Sequence, residues 1–233
     1  MKYAALALFI SKALAYDKVQ IDLYYESECS ACETTITGSF ADAFAHTDFL
    51  DMADVRLWPY GNASEENDGD SWTFKCQHGV QECEYNMIEV CGQHFIDDPY
   101  QQFFFVECIE DNNYTHNYES ILAKCTAQVG ADNLTDSIMS CWNGDDKELG
   151  IQLMHQVALQ TGSLNPAHTY VPWITSNGVH DSDAQTEMQH DLWTYVCDTY
   201  TGSNKSPHCP ENGSYTVFKV SDDVCNREEV FQQ

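Results

Sequence analysis

Residues 19 to 44 place a strand pattern, a C-x-x-C pair and a helix pattern in immediate succession, and that order leaves few ways for the chain to fold. Val19, Ile21, Leu23 and Tyr25 alternate with Gln20, Asp22, Tyr24 and Glu26, the period of a strand. Cys29-Ser30-Ala31-Cys32 follows, then Ile36, Phe40, Ala43 and Phe44 at helical spacing. Ala53 to Tyr60 reads as a second strand, with Val55 and Leu57 on one face, and runs into a polar loop from Gly61 to Asp70. The chain therefore opens β-α-β, with the cysteine pair at the first strand–helix junction.

That junction has a chemical use. A cysteine at a helix N-terminus meets free N–H groups and the positive end of the macrodipole, both of which favour its thiolate. Cys29 is placed to attack a disulfide, and Cys32, one turn on, to resolve the mixed disulfide that forms. At pH 5 a thiol of pKa about 8.5 is thiolate in roughly three molecules per ten thousand. Lowering the pKa to about 5 makes it roughly half thiolate, and after the accompanying loss of nucleophilicity the net gain is roughly 30- to 60-fold. Glu26 and Glu28 oppose this, because nearby anions disfavour a thiolate. Two other uses of C-x-x-C are weaker. A zinc site needs a second compact pair, and Cys76, Cys83 and Cys91 do not supply one. A purely structural bond across so short a loop gains little from closure. No metal is expected.

Eleven cysteines imply disulfides and an oxidising compartment. Met1-Lys2, the apolar Tyr3 to Ile10 and Ala13-Leu14-Ala15 read as a leader cleaved after Ala15. Five N-x-S/T sequons, at Asn62, Asn113, Asn133, Asn204 and Asn212, are glycosylation candidates on that route. The formal charge of −27 becomes −29 without Lys2 and Lys12, which argues against nucleic acid and anionic membrane as partners. Outside the C-x-x-C, nine cysteines make four pairs and one left over. The pairs are expected to staple the middle of the chain and the tail to the core. The odd one, for which Cys225 is the candidate, would be a free thiol or the bridge of a disulfide-linked homodimer.

The stretch from 61 to 165 is mostly helical in pattern. Asp98-Pro99 reads as an N-cap and first-turn proline, and Tyr118, Ile121, Leu122, Cys125 and Val129 keep helical spacing, as do Leu149, Leu153 and Val157. Strand character returns at Tyr170 to Thr175, Ser176-Asn177-Gly178 is a turn, and Asp181 to Asp183 caps a last helix through Thr199. Val171-Pro172 suits a cis bond beside the cysteine pair, leaving the Val171 backbone free for a substrate peptide. The expected fold is α/β: a thioredoxin-like core (16–60 and 166–205), a disulfide-bearing, mostly helical insertion (61–165) between the second strand and the cis-proline strand, and a polar tail (206–233).

Cys76-Gln77-His78-Gly79, with Glu82-Cys83, Asn86 and Cys91, resembles the signature of the gamma-interferon-inducible lysosomal thiol reductase family. Leu23 to Ser27 before the C-x-x-C, Pro59 to Asn62, Gln152 to His155 and Tyr170 to Trp173 are similar as well, so the likeness spans the chain after the leader. It implies reduction of protein disulfides at acidic pH in endosomes and lysosomes, with Cys29 as nucleophile and Cys32 as resolving cysteine. Ser30-Ala31 would tune the redox potential, while Gln77, His78 and Gly79 carry over only as a family mark, with a structural role for His78. The expected function is a thiol–disulfide reductase, lysosomal or extracellular, using no cofactor, with disulfide-bonded proteins as substrates, Val171 and Pro172 binding them, and a small thiol as reductant. The alternative is a secreted binding protein of the same fold with lost or secondary redox activity.

Overall fold

A computed structural model describes residues 18–69, 71–211 and 224–227; the expected leader and Asn212 lie outside them. Strand β1 (Val19–Tyr25) leads through Cys29 into α1 (Ser30–Thr35). A π-helical turn (Ile36–Phe40), α2 (Ala41–Ala45) and α3 (Phe49–Met52) carry the chain to β2 (Ala53–Pro59), which pairs with β1 in parallel, Val19 opposite Ala53 and Tyr25 opposite Pro59. The π turn has a local cause. The hydroxyls of Thr34, Thr35 and Thr37 each donate to the carbonyl four residues back, and Gly38 leaves the helical region at φ −101°, ψ −108°.

The expected polar loop after β2 is instead a hairpin of β3 (Ser64–Asn67) and β4 (Trp72–Lys75). Its strands escape a period-2 reading because β3 has no apolar residue to mark a face. Tertiary contacts hold it: Trp72 stacks on His155 at 3.9 Å, and His155 Nδ1 lies 3.0 Å from the Glu65 carboxylate. Five helices follow: α4 (Val80–Phe95), α5 (Pro99–Glu110), α6 (Tyr118–Gln128), α7 (Thr135–Asn143) and α8 (Lys147–Gly162). Asp98 caps α5 as expected, its carboxylate accepting from Gln101 N at 2.9 Å.

The disulfides of this stretch are internal to it. Cys76–Cys83 ties the end of β4 to α4, Cys91–Cys141 ties α4 to α7, and Cys108–Cys125 ties α5 to α6. The expectation that they staple the stretch to the β-α-β unit is therefore corrected. Packing makes that join, with Phe44 of α2 stacked on Phe103 of α5 at 3.8 Å.

The chain returns through β5 (Tyr170–Val171) and β6 (Trp173–Ser176), on either side of Pro172, and the Val171–Pro172 peptide is cis. Strand β6 lies antiparallel to β1, giving the order β2-β1-β6. Asn177 and Gly178, at φ 51° and 78°, make the expected turn. Helix α9 (Ser182–Thr199) starts on the Asp181 cap and breaks at Asp191, whose carboxylate accepts from Thr194 N and Oγ1 at 2.8 Å, capping its second half. Cys197–Cys209 pins the chain beyond α9, and a final strand, β7 (Cys225–Asn226), pairs with β5. Among the described residues no helix is long and apolar enough to cross a membrane.

β1 is covered on both faces. Ile21, Leu23 and Tyr25 are fully buried, and Asp22 and Tyr24, on the face expected to be polar, are buried as well. Asp22 is held by Trp58 Nε1 at 2.9 Å and Tyr24 by Gln160 of α8 at 3.0 Å. Four carboxyls are buried around the end of this strand: Glu26, Glu82, Glu89 and Glu110. Tyr25 OH donates to Glu89 at 2.7 Å, yet burial still pushes Glu89 up to about 7, and burial with the charge of Glu89 pushes Glu110 well up.

These shifts set a direction for stability. The folded state keeps a proton on Glu89 that the unfolded chain releases near pH 4.5, so the contribution is full below that value and lost as pH rises through about 7. A shift of that size corresponds to about 3 kcal/mol. His168 runs the other way: burial lowers it to about 4, a contribution present above pH 6.5 and lost in acid. Several raised carboxyls outweigh one histidine, so the midpoint of thermal unfolding should be higher at pH 5 than at pH 7.5 by several °C. Glu89→Gln should shrink that difference. A midpoint that rises from pH 5 to 7.5 in the wild-type chain would contradict the assignment.

Candidate functional site

The end of β1 builds the site. Because the strand is covered on both faces, the residues that leave it stay inside: Glu26, Ser27, Cys29 and Cys32 are all fully buried. Ser27 N donates to Asn86 Oδ1 at 3.0 Å, and Glu28 turns the chain at φ 64°. Cys29 then becomes the N-cap of α1, its carbonyl accepting from Glu33 N at 2.9 Å, and Cys32 follows on the first turn.

The expected pair does not bond to itself. Cys29 is joined to Cys225, and Cys32 is the free, buried thiol. This corrects the expectation that Cys225 is the cysteine left over. Counting from a closed C-x-x-C leaves one cysteine of nine unpaired, whereas an open motif offers Cys29 as its partner. Strand β7 delivers that partner: Cys225 faces Val171 and Asn226 faces Tyr170 in an antiparallel ladder that continues with Arg227 N donating to Thr169 O at 3.1 Å. The Cys29 sulfur itself lies 4.0 Å from the Val171 carbonyl oxygen.

Two further segments close around this bond. The Glu26 carboxylate accepts from Asn62 N at 2.6 Å, and Gly61 beside it sits at φ 54°, where an added Cβ would run into that carboxylate. Asn62 Nδ2 donates to Gln77 Oε1 at 2.6 Å and to the Cys225 carbonyl at 2.9 Å. Gln77 Nε2 donates to the Asn226 carbonyl at 2.9 Å. His78 stands next to them, its Nδ1 3.1 Å from Glu82 and 3.7 Å from Glu26. Glu28 is engaged elsewhere, 2.8 Å from His116 Nε2.

The electrostatics follow from burial. Glu26 is pushed well above the usual carboxylate range, by burial first and then by the charge of Glu82. His78 is raised, chiefly by its hydrogen bond to Glu82. Burial raises the Cys32 thiol strongly, and the Glu26 charge raises it further. In acid the neighbourhood therefore holds a neutral Glu26 and a protonated His78, so the conflict expected between Glu26 and a thiolate is removed. Glu26, His78 and Cys225 bring one potential metal ligand each within 4.8 Å of one another. The Cys225 sulfur is spent in the disulfide, so the group offers no thiolate in this state.

Asn62 and Gln77 carry the site's polar contacts, and sequence reasoning did not assign them. Asn62, a glycosylation candidate by its sequon, is buried, and its side-chain nitrogen is engaged by Gln77 and the Cys225 carbonyl. Asn113 is buried too, donating to Glu33 at 3.1 Å, while Asn133 and Asn204 are exposed.

A family model described as gamma interferon inducible lysosomal thiol reductase matches residues 20–129, the span that holds Cys29, Cys32 and the Cys76–Cys91 signature. A relative from Carassius auratus, named gamma-interferon-inducible lysosomal thiol reductase, is 38% identical over 184 residues, 79% of this chain and 69% of its own. A protein of that name from Mus musculus is 33% identical, covering 82% of this chain and 71% of its own. A gamma-interferon-responsive lysosomal thiol protein from Arabidopsis thaliana is 34% identical, covering 82% and 74%. With identity of this order across most of both chains, and Gln77, His78 and Glu82 of the signature gathered around the Cys29–Cys225 bond, the chain belongs to the gamma-interferon-inducible lysosomal thiol reductase family.

Proposed function

We propose that this protein reduces disulfide bonds in protein substrates at acidic pH, with Cys29 as nucleophile, Cys32 as resolving cysteine and Val171-Pro172 lining the substrate's path. The observation that carries the reading is the state of Cys29. It caps a helix and is bonded to a cysteine on a strand paired with Val171, while a free thiol waits one turn into the helix. That arrangement is what a mixed disulfide between enzyme and substrate requires. The β2-β1-β6 sheet, with α1 leaving β1 and cis-Pro172 beside the cysteine, supports a thioredoxin-like core with residues 61–165 as its insertion. Named thiol reductases among the relatives support the direction of the reaction.

In the first step the Cys29 thiolate attacks one substrate sulfur, and the other leaves and takes a proton. Cys32 then loses its proton and attacks the Cys29 sulfur, releasing the second substrate thiol and closing Cys29–Cys32. Two protein thiols have become a disulfide and one substrate disulfide has become two thiols. A small-thiol reductant restores the pair. His78 and Glu26, protonated in acid, are proton donors close to the Cys225 sulfur of the bond. Rising pH turns this pair from positive towards negative, which disfavours the Cys29 thiolate and so confines activity to acid.

The alternative, a binding protein with secondary redox activity, has one observation of its own: Cys29 is closed in a bond to the tail. Turnover separates the two. Purified chain, with a denatured disulfide-bonded protein and a small thiol at pH 5, should give activity that Cys29→Ser lowers by more than about 100-fold. Cys32→Ser combined with Cys225→Ser, which leaves Cys29 open, should trap a substrate disulfide through Cys29 when no small thiol is present. Equal turnover in wild type and Cys29→Ser would refute the catalytic assignment.

The second test is the pH profile. Glu26→Gln should keep the acid activity but flatten its decline towards pH 7.5, because the charge that develops beside the thiols is gone. An unchanged decline would remove Glu26 from the mechanism. For the secretory route, peptide mass mapping should find glycan on Asn133 or Asn204 and not on Asn62; modified Asn62 would mean that its buried contacts are absent in the secreted protein.

A further inference from the structure

We infer that the segment around Cys225 occupies the substrate's own place, and that Asn62 and Gln77 are positioning residues that clamp the main chain of a substrate strand while Cys29 attacks. The inference rests on the nucleophile assignment above and adds the residues that hold the substrate and the form in which it is held.

The tail meets the site as an extended strand through its main chain. It forms the ladder with Tyr170–Val171, and Arg227 N reaches the Thr169 carbonyl. The carbonyls of Cys225 and Asn226, successive along the strand, are taken by the side-chain amides of Asn62 and Gln77, each at 2.9 Å. Asn62 and Gln77 are themselves tied at 2.6 Å, and the Asn62 backbone is fixed on Glu26. These contacts touch only atoms that every peptide has, apart from the cysteine sulfur. A substrate cysteine with an extended residue after it would therefore make the same set, whatever its sequence.

The chemistry of the tail bond is also that of a substrate intermediate. Attack of the Cys32 thiolate on the Cys29 sulfur forms Cys29–Cys32 and expels Cys225 as a thiolate, which takes a proton. No electrons are gained or lost overall. The tail must leave before a substrate strand can bind, so it acts as a tethered competitor at the same clamp.

The test uses the full chain after leader removal in a Cys225→Ser background, where the tail cannot bond to Cys29. The specificity constant is measured at pH 5 for a denatured disulfide-bonded protein and for a small aromatic disulfide with no peptide bond. Gln77→Leu leaves a substrate carbonyl unpaired, so the ratio of the two constants should fall about 5- to 30-fold, mainly through KM for the protein substrate. Gln77→Glu, which keeps the shape but loses the donor once ionised, should lower the ratio more at pH 6.5 than at pH 4.5. Equal loss on both substrates, or an unchanged ratio, overturns the clamp. Relative to wild type, Cys225→Ser alone should raise the initial rate several-fold at limiting reductant; loss of activity would make Cys225 a relay cysteine and overturn the competitor reading. Undiminished reduction of the small disulfide by Cys29→Ser is a separate result. It would refute the nucleophile assignment, and the clamp with it.

Discussion

Burial of β1 on both faces is the constraint from which the site follows. A strand covered on one side only would release residues 26 to 32 at the surface, where their charges would be solvated and their thiols screened. Here Glu26, Cys29 and Cys32 are wholly removed from water, so each small change in local charge is felt at low dielectric. The same burial forces every polar group at the end of the strand to find a partner. Tyr25 takes Glu89, Ser27 takes Asn86, and Glu26 takes the backbone of Asn62. Those partners come from β2's exit loop and from α4, so satisfying the end of one strand draws two distant segments towards Cys29.

The price of this arrangement is a set of carboxyls in the interior, and its sign ties stability to chemistry. Each of Glu26, Glu82, Glu89 and Glu110 is raised, with burial as the leading cause. A fold that stores protons on buried acids is steadier in acid, and the acid next to the sulfurs is then neutral, as a thiolate needs. The surface agrees with the interior, since a formal charge of −27 at pH 7 is partly relieved as exposed carboxylates protonate. His168 works against both, because it must stay neutral where the acids prefer to be protonated. One opposing histidine does not reverse the balance.

What the sequence made legible was local. The alternation of Val19 to Tyr25, the C-x-x-C at a helix start, the Asp98 and Asp181 caps and the Asn177-Gly178 turn depend on neighbours within a few residues, and each stands where it was placed. The misses are all long-range. Ser64 to Asn67 has no apolar face of its own and becomes a strand because Trp72 finds His155 about eighty residues on. Asn62 reads as a glycan acceptor and Gln77 as a family mark, because the cysteine strand that gives both their work arrives from position 225. Glu26 was visible as a neighbour of the motif. Its burial, which converts it from a handicap into an asset, depends on Gly61 leaving room for it.

The proposed main-chain clamp would also let so acidic a protein hold varied partners. Side-chain pockets would impose a sequence, and a charged groove would sort substrates by sign. Two amides aimed at successive carbonyls do neither, and they demand only that the strand be extended and locally unfolded around its cysteine. The tail meets that demand from within the chain, where tethering makes its effective concentration high. On this proposal an equally extended substrate would displace it only after the bond to Cys29 had been exchanged, and the free Cys32 lies one turn along the helix. On the proposed mechanism, the buried free thiol and the bonded tail are two halves of one device: the second keeps Cys29 covered, and the first would supply the means of uncovering it.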